Sequence, residues 1–106
     1  MYRINVYIPS THLESVKNAM FQAGAGRIGC YDRCCWQSEG LGQFRPLDGN
    51  QAFIGETGRE EQVPEFKVEM VCNHEVIQDV IAAMKAAHPY EEPAFDVYES
   101  IANQFS

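Results

Sequence analysis

The stretch FKVEMVCNHEVIQDVIAAMKAAHP, residues 66–89, decides the fold. Phe66, Val68, Met70 and Cys72 alternate with Lys67, Glu69 and Val71, the period of two expected of a strand with one buried face. At Asn73 the period changes. Asn73 is a helix-capping residue type, and Val76, Ile77, Val80, Ile81 and Met84 then recur as one broad apolar stripe. His88-Pro89 ends the helix, because the residue before a proline is pushed out of helical angles.

The same plan repeats upstream. Tyr2, Ile4, Val6 and Ile8 alternate with Arg3, Asn5 and Tyr7 until Pro9 closes a first strand. Thr11 and Glu14 form a T-x-x-E capping box, and Leu13, Val16, Ala19, Met20 and Ala23 follow at helical spacing up to Gly24. Residues 31–37, aromatic and cysteine-rich, read as the second strand and residues 95–98 as the fourth, with residues 100–106 as a tail. Strand, helix, strand, taken twice, predicts one α+β domain over residues 1–106 with the ferredoxin-like βαββαβ order. Between the second and third strands, residues 38–64 carry Gly40, Gly42, Pro46, Gly49, Gly55, Gly58 and Pro64. Connections beyond about 12–15 residues are usually functional or assembly elements. This long β2–β3 excursion is therefore expected to hold short strands, to be ordered in part by neighbouring subunits, and to offer a surface to a protein partner.

The chain has 106 residues with a formal charge of -7, which fits one domain and opposes phosphate backbones and anionic lipid. No nucleic acid and no membrane partner is expected. The charge is uneven: residues 1–53 hold five basic and four acidic side chains, residues 54–106 three and eleven. No apolar run approaches the roughly 20 residues of a membrane span, and no secretory leader precedes the first strand, so a cytoplasmic location is expected. Four cysteines, Cys30, Cys34, Cys35 and Cys72, are then expected as reduced thiols. Their spacing lacks paired C-x₂-C knuckles, and packing is the plainer role.

The richest polar segment is His88-Pro89-Tyr90-Glu91-Glu92-Pro93. Two prolines fix the turn, so an imidazole, a phenol and two carboxylates are presented together. His88 and Glu91, with His12 from the same end of the sheet, are the candidate ligands of a divalent metal ion, zinc or copper. Tyr90 and Glu92, with Glu56 of the excursion, are the candidate ligand-binding residues, and Arg27 is a candidate for an anion or a neighbouring subunit's acids. The plain alternative is that His88 closes the helix and Tyr90 packs. Gly24-Ala-Gly-Arg-Ile-Gly29 has the spacing of a phosphate loop but closes a helix rather than opening one, which removes that reading.

These motifs together resemble a known family. Gly24-Ala-Gly-Arg-Ile-Gly29 with Tyr31-Asp32, Gly42-Gln-Phe-Arg-Pro46, Phe53-Ile-Gly55, Val68-Glu-Met-Val71 and His88-Pro-Tyr-Glu-Glu-Pro93 resemble the domain inserted in YqfO-type members of the NIF-three family. His88-Pro-Tyr-Glu91 with Pro93 is also similar to a motif of CutA divalent-cation-tolerance proteins. The resemblance implies a stand-alone PII/CutA-like module that forms homotrimers. The dinuclear metal site of the full-length proteins, and any hydrolase or cyclohydrolase activity, belongs to flanking domains and is not implied. The expected function is a non-enzymatic module that oligomerises and binds a divalent metal ion or small ligand. A pure oligomerisation or adaptor domain is the alternative, and a metal-assisted hydrolase using His88, Glu91 and Glu92 stands behind both.

Overall fold

A computed structural model describes residues 1–105. It contains β1 (Tyr2–Pro9), α1 (Leu13–Gln22), β2 (Trp36–Phe44), β3 (Glu61–Cys72), α2 (Ile77–Ala87) and β4 (Phe95–Glu99). The four strands form one antiparallel sheet in the order β2-β3-β1-β4. This is the ferredoxin-like arrangement expected from the strand and helix periods.

One face of the sheet carries both helices. Ile4, Val6 and Ile8 of β1 and Val68, Met70 and Cys72 of β3 pack with Val16 and Met20 of α1 and Val80 and Met84 of α2. These are the residues of the alternating and helical patterns, so burying each apolar face against the others drives the fold. Among the described residues no α-helix covers the opposite face. Register places Trp36, Glu69, Asn5 and Asp96 in one row across it, and Ser38, Lys67 and Tyr7 in the next.

Three boundaries differ from expectation. The second strand begins at Trp36, five residues later than expected, because Gly26, Gly29 and Arg33 all have positive φ and keep residues 26–35 from extending. That loop is pinned instead by Gly26 N donating to the Val71 carbonyl and Cys34 N donating to the Gly26 carbonyl, each at 2.8 Å. Arg33 keeps its unusual φ of 56° with its guanidinium donating to Asn18 Oδ1 and lying 5.0 Å from the centre of the Phe21 ring. Cys34 and Cys35 therefore precede the strand and do not sit on its two faces. Next, the Thr11-Glu14 capping box does not form: Thr11 Oγ1 meets His12 Nδ1 at 2.8 Å, and α1 starts after a short 3₁₀ turn at Ser10–His12. Asn73 likewise makes no side-chain cap and leads into a 3₁₀ turn at His74–Val76.

The third difference is the excursion. Most of its ends are strand, β2 running to Phe44 and β3 starting at Glu61. β1 pairs only with residues 65–72 of β3, so residues 61–64 and 41–44 project as a two-stranded arm. Pro64 is tolerated there because its missing N–H faces no third strand. The arm lengthens the molecule to 50 × 24 × 22 Å, with a radius of gyration of 14.9 Å against roughly 13 Å expected for a chain near this length. At the far end of the sheet, Ser100 N donates to the Met1 carbonyl at 2.8 Å, so the start of β1 and the end of β4 lie side by side.

Candidate functional site

The connection across the arm, residues 45–60, is organised within the chain by one asparagine. Asn50 Nδ2 donates to the Leu47 carbonyl at 2.6 Å and to Thr57 Oγ1 at 2.8 Å, while Asn50 Oδ1 accepts from Ala52 N at 3.0 Å. Gly58 N donates to the Pro46 carbonyl at 2.7 Å and closes the loop's neck. So organised, the loop folds over the end of the sheet that bears the Pro-locked turn. Gln51 N donates to Glu91 Oε1 at 2.9 Å, and Phe53 meets the His12 ring edge-on with centroids 5.5 Å apart.

Between loop and turn lies a cleft of about 250 Å³. Tyr7, Phe44, Phe53 and Tyr90 supply aromatic walls, and Glu65, Glu91 and Glu92 supply carboxylates. Tyr7, Glu65 and Phe44 come from the helix-free face, where the strand period puts their side chains. Tyr90 is fixed from two sides: its phenol donates to Glu65 Oε2 at 2.8 Å, and its backbone N–H donates to His88 Nδ1 at 3.1 Å. Burial, with the Glu65 bond and charge adding to it, pushes the Tyr90 phenol well above its ordinary range. Glu65 reaches Tyr90 by lying across Gly42 of β2: a Cβ on Gly42 would overlap the Glu65 carboxylate.

His88 is buried beneath this turn, with 6% of its surface exposed. Its Nε2 lies 2.8 Å from the Tyr7 carbonyl and must donate, while Nδ1 accepts from Tyr90, a pattern only the neutral Nε2–H tautomer satisfies. Burial lowers its affinity for a proton, against the opposing pull of the Tyr7 carbonyl and Glu65.

Both ring nitrogens of His88 are thus spent on backbone, and neither is free for a metal ion. Glu91 is held by Gln51 N, and His12 stands across Phe53. Among the described residues no group of three or more His, Cys, Asp or Glu side chains is placed to hold a metal ion. The residues expected to bind zinc or copper gather at one end, but they do not fit a metal centre within the protomer. Of the expected ligand-binding residues, Tyr90 and Glu92 line the cleft. Glu56 is exposed in the loop outside the lining, its carbonyl accepting from Arg59 N at 3.1 Å. Arg27 lies in the loop that bonds to Val71, at the other end of the sheet from Tyr90. Glu65, Asn50 and Tyr7 were not expected. Glu65 was detectable only from the β2–β3 register, which places it beside Gly40 and diagonal to Gly42.

This architecture also occurs in known proteins. No family model matches the chain. It is 43% identical over 104 residues to a protein of Halalkalibacterium halodurans named GTP cyclohydrolase 1 type 2 homolog, covering 98% of this chain and 28% of that one. A solved structure of a Bacillus cereus protein related to NIF3 superposes with a TM-score of 0.78 at 42% identity, covering 92% of this chain and 24% of that one. The chain is homologous to one segment of these longer proteins. It spans about a quarter of the length of the curated relatives it matches. For the fold alone, the PII-like protein CutA from Nostoc sp. PCC 7120 gives a TM-score of 0.69 at 17% identity, covering 100% of this chain and 86% of that one. Among the described residues, no helix is long and apolar enough to cross a membrane.

Proposed function

We propose that this domain is a non-enzymatic cytoplasmic module that self-associates as a trimer and binds a small organic ligand in the cleft between residues 45–60 and the His88–Pro93 turn. The observation that carries the binding half is the closure of the loop onto the turn by the Gln51–Glu91 bond and the His12–Phe53 contact. Its apolar walls and few convergent polar groups are those of a binding site, and its volume lies just below the roughly 300–1,000 Å³ of pockets for drug-sized ligands. A small occupant suits it. The cleft offers no nucleophile with an adjacent base, because its histidine neighbour is locked between two backbone groups. The cyclohydrolase chemistry named in the relatives is therefore not assigned to this domain.

Self-association is supported by the helix-free face and its two unpaired edges, β2 and β4. Trp36 and Tyr98 on that face are 69% and 56% exposed. Between them, Asn5 Oδ1 is buried and has no hydrogen-bond partner among the described residues. Light scattering should give three times the 12.0 kDa chain mass, and a monomer mass across a wide concentration range would overturn assembly. For binding, a fragment titration followed by amide NMR should move Gln51, Phe53 and Tyr90 together while leaving Arg27 unmoved. If no fragment moves them, the adaptor reading replaces the ligand reading.

A further inference from the structure

We infer that the cleft selects an organic cation, an ammonium or guanidinium group carried on a small apolar body. This inference rests on the cleft being a ligand site, and it adds the chemical class of the ligand. Glu65, Glu91 and Glu92 all line the cleft, and no Lys, Arg or His side chain does. The carboxylates are not consumed by internal ion pairs. Glu65 and Glu91 each accept one hydrogen bond from a neutral donor, Tyr90 Oη and Gln51 N, which leaves both charges uncompensated. Glu92 makes no hydrogen bond or ion pair among the described residues.

Aromatic walls flank these carboxylates. Phe44 and Tyr90 tilt against each other with centroids 5.8 Å apart, presenting ring surface beside the Glu65 carboxylate. An aromatic face attracts a cation and a carboxylate holds its N–H groups, whereas a phosphate or carboxylate ligand would meet three like charges with no basic group to offset them. The charged neighbours outside the cleft do not reverse the sign. Lys67 lines the adjoining groove together with Glu39 and Glu65, and His12 and His88 stand behind Phe53 and Tyr90.

The test is a titration of the full chain at low ionic strength with three probes of one size, benzylamine, benzyl alcohol and benzoate, read by amide NMR. Benzylamine should shift Gln51, Phe53 and Tyr90 and bind more tightly than benzyl alcohol by about 2- to 30-fold, the range of a cation over an aromatic face. Benzoate should not bind. Glu92→Gln, which breaks no bond of the fold, should weaken benzylamine severalfold and leave benzyl alcohol unchanged. If benzyl alcohol or benzoate shifts the same amides as strongly as benzylamine, the cation assignment is overturned while the cleft stands. If none of the three shifts them, the ligand reading falls with it.

Discussion

Tyr90 and Glu65 are 25 positions apart and joined by a single 2.8 Å hydrogen bond, phenol to carboxylate, between the turn after α2 and the first residues of β3 shared with β1. Tyr90→Phe keeps the ring and deletes only the donor. It should cost about 1.5–3 kcal/mol, the usual worth of a hydrogen bond to a charged group, measured as a lower urea midpoint at unchanged slope. Equal midpoints would show that Glu65 finds water instead. The same bond makes a spectroscopic signature: of five tyrosines, Tyr90 should ionise last, because its phenol is pushed above its ordinary range. Its raised value contributes stability that is complete below pH 10 and declines as pH rises further.

His88 makes the opposite acid prediction. The folded chain holds the imidazole neutral and the unfolded chain takes up a proton near its ordinary value of 6.5, so stability should be full above that pH and fall on acidification below it. His88→Ala should lower the melting temperature without any metal present, and the pH dependence of stability below 6.5 should flatten. A metal-free melting temperature equal to that of the wild type would return His88 to the role of a ligand.

Two glycines of β2 give a matched pair. Replacing glycine by alanine in a strand ordinarily stabilises by roughly 0.5–1 kcal/mol. Gly40→Ala meets open space and should follow that rule, whereas Gly42→Ala displaces the Glu65 carboxylate and should destabilise. Thermal denaturation of the two variants tests the sign. Stabilisation by both would show that Glu65 does not depend on Gly42.

Asn50→Ala removes both donors and the acceptor that knit residues 47–57 together. The loop should then open locally while the sheet persists. Hydrogen exchange at Gln51 and Ala52 should rise at least tenfold, with β1 and β3 amides unaffected. Unchanged exchange would mean the loop is held by other contacts.

Those elements whose side chains follow one period for several residues were legible in the sequence, β1, β3 and both helices above all. β2 was misplaced because its signal is inverted. The segment that looks like a strand, around Tyr31, carries a left-handed Arg33 that no propensity marks, whereas the true strand contains Gly40 and Gly42, which read as breakers. At Gly42 an added Cβ would meet the Glu65 carboxylate. The Pro-locked turn was visible as chemistry, but the partners of His88 were not. Its bonds to Tyr7 and Tyr90 run through backbone atoms, and backbone partners leave no trace in residue type. The cleft's third carboxylate stayed hidden with the register.

The bond between Ser100 N and the Met1 carbonyl carries a consequence for how this domain is deployed. Because the first and last strands end as neighbours, a longer polypeptide can enter through β1 and leave after β4 at nearly one point in space. Such a unit drops into a host loop without prying its flanks apart. The cleft lies at the opposite pole of the sheet, beyond the reach of that attachment. In such a host, the end formed by Tyr90 and Phe53 would face outward.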